Sequence, residues 1–257
     1  MPASRDQAWA RTPPARVARE LVLRGVFGSI VASYSRRTVA GLEHLEAAAG
    51  PVIFVGNHCS HVDTPVLLLS LPARWRRRTA VAAAADYFYT RRTLAAAVSL
   101  AFGTVPLDRR GGTGADAAVH GVLARGWSLV VFAEGTRSRD GRLGRMRSGA
   151  AVLAAERGVP IVPVYISGTR AAMPIGRRWM VHPEGGGRHE ISVTFGAPIE
   201  VGRHDDRAVA MARVRAFMES SGADTTPDTT PDTTPDPDPD PAARPREPEE
   251  PAVPVAQ

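Results

Sequence analysis

The chain has 257 residues, 32 basic and 26 acidic, for a formal net charge of +6, and every basic residue is an arginine. Its single cysteine, Cys59, excludes an intrachain disulfide, and the composition fits neither collagen nor a coiled coil. The charge is unevenly placed: residues 222–257 hold nine acids against two arginines, net −7, which leaves +13 on residues 1–221.

In chain order, the first element is the apolar run 21–33 (LVLRGVFGSIVAS), preceded by Arg5, Arg11, Arg16 and Arg19. Arg24 interrupts it and no small-x-small cleavage site follows, so a signal peptide is disfavoured, and it falls short of the ~20 apolar residues of a spanning helix. Two readings remain: an interfacial helix on a membrane surface, or an ordinary helix packed on the domain. Residues 51–56 (PVIFVG) read as a buried strand, and Thr64-Pro65 opens an apolar helix through residue 71. Further strands are expected at 79–83, 103–107, 127–133, 160–166 and 191–195, and helices at 91–101, 113–125, 148–157 and 205–220. Alternating β and α elements predict an α/β domain with a mixed, largely parallel sheet flanked by helices. Residues 1–38 are expected to form a basic, apolar membrane-associating segment and residues 39–221 the domain. The repeated TTPD units from Thr225 and the Pro-Asp pairs after them make 222–257 a disordered tail, partly polyproline II.

Three strand ends carry unusual polar residues. After the first strand comes NHCSHVD, residues 57–63. A histidine followed five residues later by an aspartate at a helix opening can form a His–Asp pair, in which the carboxylate fixes the imidazole tautomer and sharpens the other nitrogen as a base. Two alternatives stay open here: Asp63 or Thr64 as a helix cap, and a metal held by His58, His61 and Asp63. The second end carries Asp108-Arg109-Arg110, where arginine can hold a phosphate or simply face water. The third is Phe132-Ala133-Glu134-Gly135-Thr136-Arg137-Ser138. No G-x-S-x-G nucleophile elbow occurs.

Taken together, NH-x4-D, G-x4-D-R (103–109), F-x-EGTRS (132–138) and VPIVPV (159–164) form an ordered set of four blocks. Over roughly residues 35–200 the chain resembles the 1-acylglycerol-3-phosphate O-acyltransferase family of glycerolipid acyltransferases. The resemblance implies a catalytic base at His58, oriented by Asp63. It implies an acceptor site for phosphate and glycerol made by Arg109, Glu134, Gly135, Thr136 and Arg137, with a mainly structural fourth block. The reaction implied is transfer of a fatty acyl group from an acyl-CoA or acyl-carrier-protein thioester to lysophosphatidic acid, giving phosphatidic acid, with no metal or other cofactor. The partners implied are the lysophospholipid acceptor, the thioester donor and an anionic surface at the cytoplasmic face of the cell membrane, which the +13 body suits. Ala133 departs from the proline usual in the third block, and Pro106 and Leu107 from the bulky apolar residues usual in the second; neither removes a functional group. A nucleic-acid partner is the competing account of the basicity, supported by Arg74, Arg76, Arg77 and Arg78. The scatter of the arginines and the lack of a recognition helix or aromatic platform weigh against it.

Overall fold

The apolar runs assemble into one sheet. A computed structural model describes residues 6–46, 48, 50–89, 91–107 and 113–225. Its strands are β1 (Ser35–Ala40), β2 (Ile53–Gly56), β3 (Thr79–Ala84), β4 (Thr104–Leu107), β5 (Ser128–Phe132), β6 (Ile161–Ser167) and β7 (His189–Phe195). They lie in the order β1-β7-β6-β2-β5-β3-β4. Every neighbouring pair is parallel except β6–β7. The mixed, largely parallel sheet expected from the alternating pattern is therefore present.

β2 shows why such a run can be apolar throughout. Ile53, Phe54 and Val55 are all fully buried, because helices cover both faces of the sheet. Alternate side chains part to opposite layers. Ile53 and Val55 join the core under the helices Thr113–Ala124, Gly149–Arg157 and Arg207–Ser220. Phe54 joins the other core, shared with the N-terminal helix and the helix Asp63–Ser70. Each fully buried Leu, Ile or Phe in these layers contributes about 1.5–3 kcal/mol of transfer free energy.

β1 has no counterpart in the predicted elements. It is an edge strand in which Ser35 alone is buried, while Arg36, Arg37 and Thr38 face water. It lacks an apolar run because its place comes from parallel pairing with β7, Ser35 opposite His189 through Ala40 opposite Thr194.

The N-terminal segment is helical from Pro13 to Tyr34, with a π-turn at Val22–Phe27. One side packs on the domain through the buried Leu23 and Val31. Arg16 and Arg19 both lie 5.6 Å from the Trp127 ring at the start of β5. Burial, and after it the Arg16 charge, lowers the Arg19 pKa to about 10. Glu20, held below the usual carboxylate range by its hydrogen bonds from Arg76, fastens the same helix to the short helix Ala73–Arg76 before β3. The opposite side exposes Val17, Leu21 and Val26. The π-turn lengthens the step from Leu21 to five residues and so keeps Val26 in line with the other two. The helix thus packs on the domain and also presents an apolar stripe outward. No helix among the described residues is long and apolar enough to cross a membrane.

β6 ends in a turn that only glycine permits. Gly168 has φ +82°, and a Cβ there would stand 2.0 Å from the Glu190 carbonyl oxygen. The expectations for the tail beyond Thr225 lie outside the described residues.

Candidate active site

β2, β5 and β6 end side by side, and their register determines what meets what. Gly56 pairs with Phe132 on one side and Val164 on the other. The residues that follow β2 are thereby brought opposite those that follow β5, at the carboxyl ends of parallel strands where α/β folds place ligands. Asn57 ties this corner together. Its buried side-chain amide donates to the Ile166 carbonyl at 2.9 Å and accepts from the Ile166 N–H at 2.8 Å. Sequence reasoning did not single out Asn57 as functional. Its only signal was adjacency to His58, since its partner lies 109 residues away.

His58 and Asp63 meet as the spacing predicts. His58 Nδ1 lies 2.9 Å from Asp63 Oδ2, and the carboxylate side chain is 1% exposed. The same oxygen accepts the N–H groups of Cys59 at 2.7 Å and Ser60 at 2.8 Å. Asp63 opens its helix without capping it: the N-cap residue is Val62, and no side chain bonds there. Its carboxylate turns back into the preceding loop instead. Because a carboxylate only accepts, it fixes the tautomer with Nδ1–H and leaves the Nε2 lone pair for chemistry. Stacking on Phe132, with centroids 4.2 Å apart and planes inclined by 16°, fixes the ring plane. His58 keeps 18% of its side chain exposed, so substrate can reach it.

Cys59, between these partners, is not a competing nucleophile. Burial, and then the Asp63 and Glu134 charges, push its thiol pKa up to about 12. His61 is exposed on the turn, and among the described residues no three His, Cys, Asp or Glu side chains converge to hold an ion.

The third block forms a turn against the first. Gly135, at φ +75°, donates its N–H to Phe132 O at 3.0 Å. The Arg147 side chain lies 3.0 Å from where a Cβ on Gly135 would be. Glu134 is a clamp: Oε1 accepts the His58 N–H and Oε2 the Gly144 N–H, each at 2.9 Å. Ser138 N–H completes the grip by donating to His58 O at 2.7 Å. Both carboxylate oxygens of Glu134, a residue that the resemblance assigns to the acceptor site, are thus engaged by backbone. Thr136 and Arg137 are half-buried beside the clamp, and Arg137 pairs with no acid among the described residues. Arg109, the other proposed phosphate ligand, lies outside the described residues.

Burial raises the Glu134 pKa above 4.5, opposed by the hydrogen bonds from the His58 and Gly144 backbone. Glu134→Gln keeps one acceptor and turns an NH2 group toward a backbone N–H. It is expected to cost about 1–3 kcal/mol of stability. With a raised folded-state pKa, the contribution of Glu134 is complete below its unfolded value and is lost as pH rises through the folded value. The stability gap between wild type and variant should therefore narrow as pH rises through that window. Urea unfolding of both proteins from pH 4 to 7 checks this, and a gap that widens would contradict the assigned environment.

The loop beyond the clamp is fastened from two directions. Arg170 Nη1 donates to Ser138 O at 3.2 Å. Leu143, 2% exposed, donates its N–H to Asp224 O at 2.6 Å and forms a parallel bridge with Thr225.

Comparisons with known proteins place the chain among its relatives. A 1-acyl-sn-glycerol-3-phosphate acyltransferase of Brassica napus, BAT2, chloroplastic, is 33% identical over 147 residues, covering 56% of this chain and 40% of that protein. LPAT1, chloroplastic, of Arabidopsis thaliana is 34% identical over 142 residues, covering 54% and 38%. The chain thus spans about 40% of the length of these curated relatives. The crystal structure of PlsC, the 1-acyl-sn-glycerophosphate acyltransferase of Thermotoga maritima, superposes with a TM-score of 0.60 at 24% identity. That match covers 88% of this chain and 86% of the other, and it bears on the fold. The family profile described as Acyltransferase matches residues 36–167, just over half of the chain, and contains all four blocks. Because that profile matches more than half of the chain, the chain belongs to the acyltransferase family.

Proposed function

We propose that the protein transfers a fatty acyl group from an acyl-CoA or acyl-carrier-protein thioester to the free hydroxyl of 1-acyl-sn-glycerol 3-phosphate, giving phosphatidic acid. The observation that carries this reading is the His58–Asp63 pair clamped by Glu134 against the turn that presents Arg137. The names of the plant relatives support the choice of acceptor.

The chemistry follows from the atoms. The acceptor hydroxyl is a poor nucleophile until His58 Nε2 takes its proton, whereas a thioester is already activated. The alkoxide oxygen bonds to the thioester carbonyl carbon, and the tetrahedral intermediate collapses by breaking the C–S bond. The imidazolium returns its proton to the departing thiolate, so acid and base work are done by one residue and no metal or cofactor is required. Asp63 stabilises the imidazolium between the two steps. Arg137 binds the acceptor phosphate. The N–H groups of His58, Cys59 and Ser60 are already spent on Glu134 and Asp63, so donors to the intermediate's oxyanion come from outside this turn.

The site works at the cytoplasmic face of the cell membrane, as a peripheral or monotopic protein. Val17, Leu21 and Val26 insert at the interface beside Arg24, also exposed, which faces anionic headgroups. The test is an assay of purified protein against lysophosphatidate, other lysolipids and glycerol 3-phosphate, with acyl-CoA and acyl-carrier-protein donors run separately. Lysophosphatidate should give the highest kcat/KM, and Arg137→Ala should raise its KM about 10-fold or more while sparing an unphosphorylated acceptor. Equal turnover of monoacylglycerol and lysophosphatidate would reject the phosphate reading. In the same preparations the protein should co-sediment with anionic vesicles; binding that ignores lipid charge would reject the anionic-headgroup contact, and failure to bind any vesicle would reject the membrane reading.

A further inference from the structure

Around the acyl-acceptor turn, the loop 137–147 carries five arginines: Arg137, Arg139, Arg142, Arg145 and Arg147. Arg139, Arg142 and Arg145 are exposed and form no ion pair with an acid among the described residues. The one acid at the loop surface, Asp140, is turned to the loop's own groups. It accepts the Arg142 N–H and the Ser138 hydroxyl, which hold its carboxyl below the usual range. The loop is therefore a concentrated cationic surface that its own acids do not neutralise.

The same loop is where the C-terminal segment is sewn onto the domain. Leu143 is bonded to Asp224 and bridged to Thr225, and Tyr165 Oη donates to Gly222 O at 3.0 Å. Residues 226–257 follow directly from that seam with eight acids against two arginines. At about 3.3 Å per extended residue, Asp228 starts within ~10 Å of the seam, and Leu143 is adjacent to Arg142 and two residues from Arg145. A segment tethered this closely reaches effective concentrations on the order of millimolar without any specific pocket.

We propose that the acidic C-terminal segment docks on the arginine loop 137–147 and competes there with the anionic acceptor, so that the chain carries its own electrostatic inhibitor beside the active site. The aspartate side chains at Asp228, Asp232, Asp236, Asp238 and Asp240 pair with Arg139, Arg142 and Arg145, at the rim of the turn that presents Arg137. Competition with substrate rests on the phosphate-acceptor reading above; the contact itself rests on charge and tethering alone. Because the pairs are exposed, they act within a Debye length of about 8 Å at physiological ionic strength and fade as salt rises.

The test keeps the full chain and changes only its charge. Asp228, Asp232, Asp236, Asp238 and Asp240 are all replaced by Asn, leaving the seam at Asp224 and Thr225 intact. A nitroxide is attached through Thr234→Cys in both the acidic and the neutral chain; the buried Cys59, with its thiol at about 12, resists labelling. In the acidic chain the amide signals of Arg139, Arg142 and Arg145 should broaden at 20 mM salt and recover at 500 mM. Equal broadening in the two chains overturns the contact. For activity, the neutral chain should show a KM for lysophosphatidate about three- to tenfold lower at 20 mM salt, with unchanged kcat and no difference at 500 mM. Salt-dependent broadening with identical KM values supports docking and overturns competition. If neither chain acylates a phosphorylated lysolipid, the acceptor reading fails, and the nitroxide result still decides the contact.

Discussion

His58→Ala is expected to lower acyl transfer by about 10²–10⁴-fold while leaving the protein folded. Among the described residues the His58 side chain stacks on the ring of Phe132 and bonds Asp63 Oδ2. Losing the stack costs about 0.5–1.5 kcal/mol. Asp63 keeps its two backbone donors from Cys59 and Ser60, so no buried charge is abandoned. The backbone of residue 58 stays gripped by Glu134 and Ser138, since both bonds are to main-chain atoms. Single-turnover acyl transfer with a thermal melt alongside checks both halves. A variant that keeps more than about a tenth of wild-type turnover would remove His58 from the role of base.

Asp63→Asn separates charge from geometry. Its amide oxygen can take the Oδ2 position and still accept the Cys59 and Ser60 N–H groups. The NH2 then occupies the Oδ1 position, which is buried and meets no partner among the described residues, at a cost of about 1–3 kcal/mol. What the substitution removes is the negative charge that, in the proposed mechanism, stabilises the imidazolium while His58 holds the acceptor's proton. A drop in kcat of about 10²–10⁴-fold with little change in KM for the acceptor is expected. That signature is the reverse of the one expected for Arg137→Ala, in which KM rises. If Asp63→Asn raised KM and left kcat intact, Asp63 would be a loop fastener and not the partner of a base.

Particular residues show what could be read before the fold was known. β2, β5 and β6 announced themselves because a parallel strand covered on both faces is apolar almost throughout, as PVIFVG, WSLVVFA (Ser128 apart) and PIVPVYI are. β1 was silent for the converse reason: an edge strand with Arg36, Arg37 and Thr38 in water needs no such run. The His58–Asp63 pair was legible because both members lie within one turn, so spacing alone brings them together. The resemblance placed Glu134 at the site but did not signal its grip on the backbone. Its partners are the main-chain N–H groups of His58 and Gly144, and backbone donors leave no mark on a sequence. Asn57 is a similar case, since its amide meets the main chain of Ile166 and no side chain there signals the contact.

The cross-strand clamps also bear on how the folded protein comes into being. The His58–Glu134 bond spans 76 residues and the Asn57–Ile166 bonds span 109, so neither forms until long loops have been closed. Parallel pairing of β2 with β5 and β6 is the slow, non-local part of assembly. The imidazole therefore acquires its working surroundings only when the central sheet closes. During refolding, activity should emerge with the latest-forming contacts, well behind the helices.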